Sequence, residues 1–210
     1  MFSRIVAALD PSNGVFDALK QKGLIAPSRA LVHKRPSSRQ VNFRTDRLRH
    51  RIKAFGDLSK LTERSIAFSL LHEEGHLTRR QNSGWFFAVV LAFATIVASL
   101  ALWHLLSGSP ISSPELAINS SAIAIAMFSP RIFRWWLVKD EFRADAFAAE
   151  MMVRAYPGIT RDEVAESLDS VLKAIHPKKR DFVDSIFLEW MGWDVHPSED
   201  ERIQAVFKGR

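Results

Sequence analysis

Residues 72–76 read His-Glu-Glu-Gly-His, a spacing that could hold a metal ion. On a helix, His72 and His76 project from the same face one turn apart, so both imidazoles can bind a single zinc ion. Glu73 lies beside the first histidine, where it can take a proton from the attacking water instead of binding the metal. The alternative is two histidines and two ordinary surface acids on a polar helix face.

A catalytic zinc ion needs a third protein ligand and an open coordination position. The chain has no cysteine, so this ligand must be His, Asp or Glu. Glu141 and Asp145 are the best candidates, because they share one face of a helix at i and i+4. One can bind the metal while the other accepts a hydrogen bond from a histidine's remaining N–H. Taken alone, such a pair is more often two solvated acids.

Helical signals surround the histidine motif between residues 57 and 80. Thr62 is a suitable N-cap, and Glu63 follows in the first turn. Apolar residues recur at helical spacing through the segment: Leu61, Ile66, Leu70 and Leu77. The motif is therefore predicted to lie on an amphipathic helix.

A stretch without Asp, Glu, Lys or Arg runs from residue 81 to 114, about a sixth of the chain. Within it, residues 84–106 are almost entirely apolar and as a helix would extend about 33 Å, enough to cross a bilayer. Residues 116–138 form a second, more polar candidate, whose apolar run is shorter and covers residues 116–128. The two predict a transmembrane hairpin; the alternative for the first is a fully buried helix of a soluble core.

The charges that flank this hairpin predict its orientation. Basic residues precede the first span and follow the second, whereas the connecting loop carries only Glu115. The positive-inside rule then places both polar parts of the chain in the cytoplasm. No cleavable signal peptide is expected, because the apolar run at residues 5–9 is too short.

The first 80 residues are basic, with 16 Lys and Arg against 7 Asp and Glu. Residues 33–53, which begin at His33 and end at Lys53, contain eight basic residues and one acid. Next to a transmembrane hairpin, anionic lipid is the simplest partner for such a segment, and nucleic acid is not expected. A solvated basic face without a partner is the equally plain alternative.

Outside these motifs the sequence favours helices. Thr160 is a suitable cap for a helix that reaches Ile175, and residues 181–191 predict another. Only short stretches such as 30–32 and 40–43 could supply strands, and edge strands are where extended peptides dock. The predicted fold is mainly α and integral to the membrane: a zincin-like helical catalytic domain interrupted by a two-helix hairpin, with a small N-terminal β element.

The order of these motifs resembles the HtpX and CAAX prenyl protease family of membrane zinc metallopeptidases. HEEGH is followed by a hairpin, then EFRADAFAAEMM, then HPSEDERI near the C-terminus. The resemblance implies that His72, His76 and Glu141 bind one zinc ion per chain. It also implies that Glu73 is the general base and that Asp145 holds a zinc-binding histidine.

Two further positions follow from the resemblance. His196 and Arg202 match the family's terminal segment, where they imply a role in the transition state or in structure, with Arg202 paired to an acid near the site. Glu74 stands where the family usually has an apolar or small residue, which a half-exposed helix would tolerate.

The sequence therefore predicts a membrane-bound zinc endopeptidase that cleaves polypeptides on the cytoplasmic side of a bacterial plasma membrane, with both termini in the cytoplasm. The alternatives are a zinc-binding membrane scaffold or sensor without proteolysis, and a basic membrane adaptor. The oligomeric state is not predicted. Five parts are expected: a basic N-terminal region (1–56), the histidine-motif helix (57–81), two spans (84–106 and 116–138) and a C-terminal catalytic half (139–210).

Overall fold

The computed structural model describes residues 10–34, 41–78, 83–107, 113–175 and 197–209. Most of these residues are helical, as the periodicity predicts. In chain order the elements are α1 (Pro11–Gln21), β1 (Ala30–Lys34), β2 (Asn42–Asp46), β3 (Arg51–Phe55), a 3-10 turn (Leu58–Lys60), α2 (Glu63–Thr78), α3 (Ser83–Leu106), α4 (Ser113–Ala155), α5 (Arg161–Ala174) and α6 (Glu199–Lys208).

The strands form one small sheet in the order β1-β3-β2. β1 runs parallel to β3, and β2 runs antiparallel to it. The inner face of the sheet carries Phe43, Ile52 and Ala54, all of them buried. Residues 30–32 lie in β1 as predicted, and β2 overlaps the second predicted stretch. β3 is not among the predicted strands, because its alternation of basic and apolar residues is short and lies within a run of arginines.

The chain divides into two units. The first contains residues 1–79, 139–179 and 197–210, and the second contains residues 80–138 and 180–196. The sheet, α1, α2, α5 and α6 belong to the first unit, together with the C-terminal part of α4. Helix α4 contains both the predicted second span, residues 116–138, and the predicted ligand Glu141, so the two are parts of one continuous helix.

Helix α2 lies in the centre of the first unit and packs against α1, β2 and α5. Its buried side chains include Phe68, Leu70 and Leu71, which join Met152 of α4 and Leu168 of α5 in one hydrophobic core. Burial extends to every residue from Ser65 to His76, polar ones included. The amphipathic stripe is therefore only part of what α2 buries, because other elements cover it on several sides.

The helix ends follow their sequence signals. At the start of α2, the hydroxyl of Thr62 accepts a hydrogen bond from the backbone N–H of Ser65 (3.2 Å). Thr160 caps α5 in a reciprocal capping box with Glu163. Ser198 does the same for α6. The predicted helix over 181–191 lies outside the described residues.

In the second unit, α3 exposes large apolar side chains. Phe93 is 68% exposed and Trp103 is 74% exposed, whereas Ala94 and Ala101 are buried. Among the residues that the structure describes, no helix is long and apolar enough to cross a membrane. The transmembrane hairpin predicted over 84–106 and 116–138 is therefore not confirmed.

Candidate metal centre

Three potential ligands meet between α2 and the C-terminal part of α4. The Nε2 atoms of His72 and His76 lie 3.1 Å apart. The carboxylate of Glu141 lies 3.6 Å from Nε2 of His72 and 3.3 Å from Nε2 of His76. One ligand atom from each residue falls within 4.8 Å of the others. Two imidazoles and a carboxylate are ligands that zinc accepts, so these residues could hold a metal ion.

The other ring nitrogen of each histidine faces a carboxylate. Nδ1 of His72 lies 2.8 Å from Asp145, and Nδ1 of His76 lies 3.1 Å from Asp140. An Nδ1–H that donates to a carboxylate fixes the ring and leaves Nε2 free as a metal ligand. Asp145 is the residue that the resemblance implied as the holder of a zinc-binding histidine, and in the structure that histidine is His72. Asp140 is absent from the sequence prediction, although it directly precedes Glu141 in the chain.

Arg202 of α6 connects the C-terminal segment to this centre. Its guanidinium donates two hydrogen bonds to Asp145, of 2.8 and 2.7 Å, and lies 3.7 Å from Glu141. Burial alone would raise the pKa of Asp145, but the hydrogen bonds from Arg202 and His72 hold that pKa below its usual range. The sequence indicated only an acid near the site as the partner of Arg202, and in the structure this acid is Asp145. His196, the other predicted C-terminal residue, lies outside the described residues.

Glu73 lies beside the ligands in a dry environment, with 8% of its surface exposed. Burial raises the pKa of its carboxyl, while His72 and His76 oppose that rise. At His76, burial lowers the pKa, but hydrogen bonds with Asp140 and Glu141 outweigh it and raise the pKa to about 9. Glu73 is therefore a buried carboxyl next to the ligands that neither binds with them nor holds a histidine Nδ1, unlike Asp140 and Asp145.

Comparison with known proteins agrees with this geometry. The family model described as "Peptidase family M48" matches residues 20–208, nearly the whole chain. The chain belongs to peptidase family M48. This match confirms the resemblance seen in the motifs and makes the protein a member of a family of zinc metallopeptidases. No curated protein and no solved structure matches significantly.

Glu74 of this M48 peptidase differs from its sequence prediction. The prediction of a half-exposed position is wrong, because Glu74 is only 1% exposed. Its carboxylate accepts a hydrogen bond from Nε of Arg29 (2.9 Å) and a longer one from the backbone N–H of Ala26 (3.5 Å). Arg29 also contacts His50 (3.2 Å). A buried charge needs such a partner, and the segment that leads into β1 supplies it.

Gly75 sets how closely the two ligand-bearing helices approach. A Cβ atom at this position would lie 3.1 Å from the ring of Phe147 and 3.3 Å from the Cα of Ala144. Glycine is therefore favoured here by the close approach of α4 and not by its backbone conformation, since a Cβ atom would force its neighbours to give way by a few tenths of an ångström. The contact brings α4 near enough for Glu141 to reach the histidines.

The turn between β2 and β3 also reaches the centre. Arg47 in this turn lies 3.4 Å from Asp140, the carboxylate that holds His76. The turn includes His50, whose positive φ of 51° is uncommon for a residue other than glycine. No sequence pattern pointed to this contact, because Arg47 and Asp140 are 93 residues apart.

Proposed function

We propose that this chain is a membrane-attached zinc-dependent endopeptidase. The observation that carries the proposal is the convergence of Nε2 of His72, Nε2 of His76 and the Glu141 carboxylate, with each Nδ1 held by its own aspartate. Membership of peptidase family M48 supports peptide hydrolysis as the reaction. A zinc-binding scaffold without activity would keep this convergence, but it would not need the carboxyl of Glu73 beside the ligands.

The proposed roles follow from the positions of the side chains. His72, His76 and Glu141 would hold zinc, which when bound polarises the scissile carbonyl and acidifies the attacking water. Glu73 would accept the proton of that water and deliver it to the leaving amine. Asp145 would keep His72 in the tautomer that offers Nε2 to the metal, and Arg202 would hold Asp145 in place.

An extended peptide has a suitable edge next to this centre. β2 lies at one end of the sheet order and packs against α2, the helix that carries both histidines. We propose that the substrate adds to β2 as a further strand, with main-chain hydrogen bonds supplying affinity. Substrate peptides that are N-methylated at backbone positions near the scissile bond should then show a raised KM. An unchanged KM for all methylated positions would rule out this docking mode.

The catalytic proposal is tested with Glu73→Gln. This variant should retain one zinc ion per chain, because Glu73 is not a ligand, but should lose proteolysis of a test polypeptide. Glu166→Gln is the matched control, since Glu166 is exposed on α5. A Glu73→Gln variant that cleaves at the wild-type rate would disprove the role of Glu73. Stoichiometric zinc without cleavage in the wild-type chain would favour the scaffold.

Membrane attachment is proposed through the apolar segment 84–106. Its support is the charge-free sequence from residue 81 to 114 and the exposed apolar side chains of α3, which include Phe93, Ile96, Leu100 and Trp103. Singly exposed apolar residues are common, but a continuous apolar surface indicates a lipid or protein partner.

Alkaline extraction of membranes from an expressing bacterium tests attachment. The full chain should remain in the membrane pellet at high pH, and its release into the supernatant would contradict an integral location. The cysteine-free sequence also permits a test of sidedness. A single Glu166→Cys substitution should react with an impermeant maleimide only after the cells are opened, if the active site is cytoplasmic. Labelling of intact cells would contradict that location.

A further inference from the structure

The outer face of the sheet is basic. Because side chains alternate along a strand, the residues opposite the buried Phe43, Ile52 and Ala54 point away from the core. These outward residues include Lys34, Arg44, Arg51 and Lys53, which we call the basic sheet face. Asp46 is the one acid on the described strands and pairs with Lys53 at 2.8 Å. The face therefore keeps a strong positive charge.

The turn at the end of this face exposes an apolar side chain. Leu48 is 96% exposed, the highest value among the large exposed apolar residues of the described chain. It stands between Arg47 and Arg49, and both are also exposed. We call residues 47–50 the hairpin tip. An apolar side chain in the centre of basic ones suits a surface that is negatively charged outside and apolar beneath.

We propose that the basic sheet face and the hairpin tip dock on an anionic lipid surface, with Leu48 inserted among the acyl chains. Charge complementarity selects this occupant, because basic side chains near an anionic leaflet attract it electrostatically. Leu48 distinguishes lipid from nucleic acid, since a phosphate backbone offers no apolar layer for a leucine. The inference concerns a surface outside the metal ligands and does not depend on peptidase activity.

The same hairpin tip touches the candidate metal centre through the contact of Arg47 with Asp140. Docking would therefore hold the metal centre close to the lipid surface. Peptide segments that emerge from the bilayer, or that lie along it, are then the substrates best placed to reach β2. This part of the proposal rests on the proposed function, whereas the docking itself does not.

A nitroxide label tests the docking in the full chain. Leu48→Cys gives a single labelling site because the sequence has no other cysteine. In vesicles of phosphatidylcholine with phosphatidylglycerol, the label should become accessible to oxygen and shielded from a water-soluble nickel complex. It should stay accessible to the nickel complex in phosphatidylcholine alone. Label at Glu166→Cys, which lies on α5, is the control and should remain exposed in both.

Charge removal tests the electrostatic part. Arg44→Gln and Arg51→Gln should each shift the ratio of docked to undocked label about fivefold towards undocked, which corresponds to about 1 kcal/mol per charge. Both residues lie outside the metal centre, so zinc content should not change. Salt at about 1 M should also undock the label, because it shortens the screening length to about 3 Å.

Three results would overturn the proposal: equal shielding of the Leu48 label in neutral and anionic vesicles, no effect of the two substitutions, or shielding by duplex DNA but not by anionic vesicles. Flotation of the chain with the same vesicles is measured in parallel. If the chain floats with the vesicles but the label at Leu48 is not shielded, membrane attachment through residues 84–106 stands and the docking surface is rejected. If the label is shielded but alkaline extraction releases the chain from the membrane pellet, integral attachment through residues 84–106 is rejected and the docking surface is supported.

Discussion

Removal of Arg29 from its buried pair with Glu74 should destabilise the first unit strongly. In Arg29→Met the apolar stem is largely kept, but the carboxylate of Glu74 loses its charged partner at 2.9 Å. The remaining contact of this carboxylate found among the described residues is the long hydrogen bond from Ala26. Because Glu74 is only 1% exposed, its carboxylate cannot regain water without opening the core.

The magnitude follows from this burial. The side chains of Arg29 and Glu74 are only 9% and 1% exposed, so the pair belongs to the buried class. Loss of one partner from a buried pair costs about 3–5 kcal/mol. The double variant Arg29→Met/Glu74→Leu should recover nearly all of this loss, because apolar residues of similar volume replace a buried pair at little cost. The difference between the two variants isolates the penalty of the unpaired charge.

Native-state hydrogen exchange of the α2 amides is the appropriate assay. All six tryptophans lie in the residue ranges of the second unit, so tryptophan fluorescence would not report the unfolding of the first unit. Amides that exchange through global opening should exchange about two to four powers of ten faster in Arg29→Met, at about 1.4 kcal/mol per power of ten.

The control is Arg154→Met, which breaks an exposed i,i+4 pair with Glu150 whose two side chains are each 61% exposed. In Arg154→Met, hydrogen exchange of the same amides should become faster by less than about fivefold. An increase of less than about fivefold in Arg29→Met would refute the reasoning, since that is the size expected for an exposed pair. A double variant as unstable as the single one would show that packing of the arginine, and not the unpaired charge, sets the cost.

Three further predictions concern other contacts. Asp140→Asn should weaken zinc binding about 10–100-fold in a chelator competition, because the orientation of His76 is no longer fixed by a carboxylate; unchanged affinity would exclude that role. Gly75→Ala should cost about 1–3 kcal/mol of stability in thermal unfolding, because its Cβ overpacks against α4; a variant as stable as the wild type would show that α4 can move away freely. The pKa of Glu163 is lowered by the backbone N–H of Thr160, so its stabilisation of α5 is present above its ordinary pKa of 4.5 and is lost as the pH falls through the lower folded value. Glu163→Gln should flatten this acid dependence of unfolding, and an unchanged dependence would exclude the capping carboxylate as its source.

The sequence contained the signals for the local half of the site. A spacing of four residues placed His72 and His76 on one face, and the family resemblance indicated Glu141, Asp145 and Arg202. Such spacings are readable because a helix repeats every 3.6 residues whatever surrounds it. Capping is equally local, so Thr160 could be recognised as the start of α5 from its own residue type and the residues that follow it.

The rest depended on contacts between distant segments. Glu74 sits between Glu73 and Gly75 in a polar run, which by periodicity alone indicates an exposed face. Its burial follows from Arg29, 45 residues away in sequence, and no spacing rule reports such a pair. Asp140 could not be predicted for the same reason, since its contact with His76 depends on how α4 packs against α2. β3 is hidden by the arginines around it, which reduce the apolar signal of a strand.

The hydrogen bond between His76 and Asp140 also closes a long loop. Their sequence separation is 64 residues, and nearly all the intervening chain belongs to the second unit. For flexible chain, the entropic cost of closing a loop grows only with the logarithm of the loop length. A doubling of that length would cost about 0.6 kcal/mol. The non-helical connections around α3 can therefore be lengthened or shortened at small thermodynamic cost. A single peptidase fold could in this way be combined with second units of different length while its ligands stay in register.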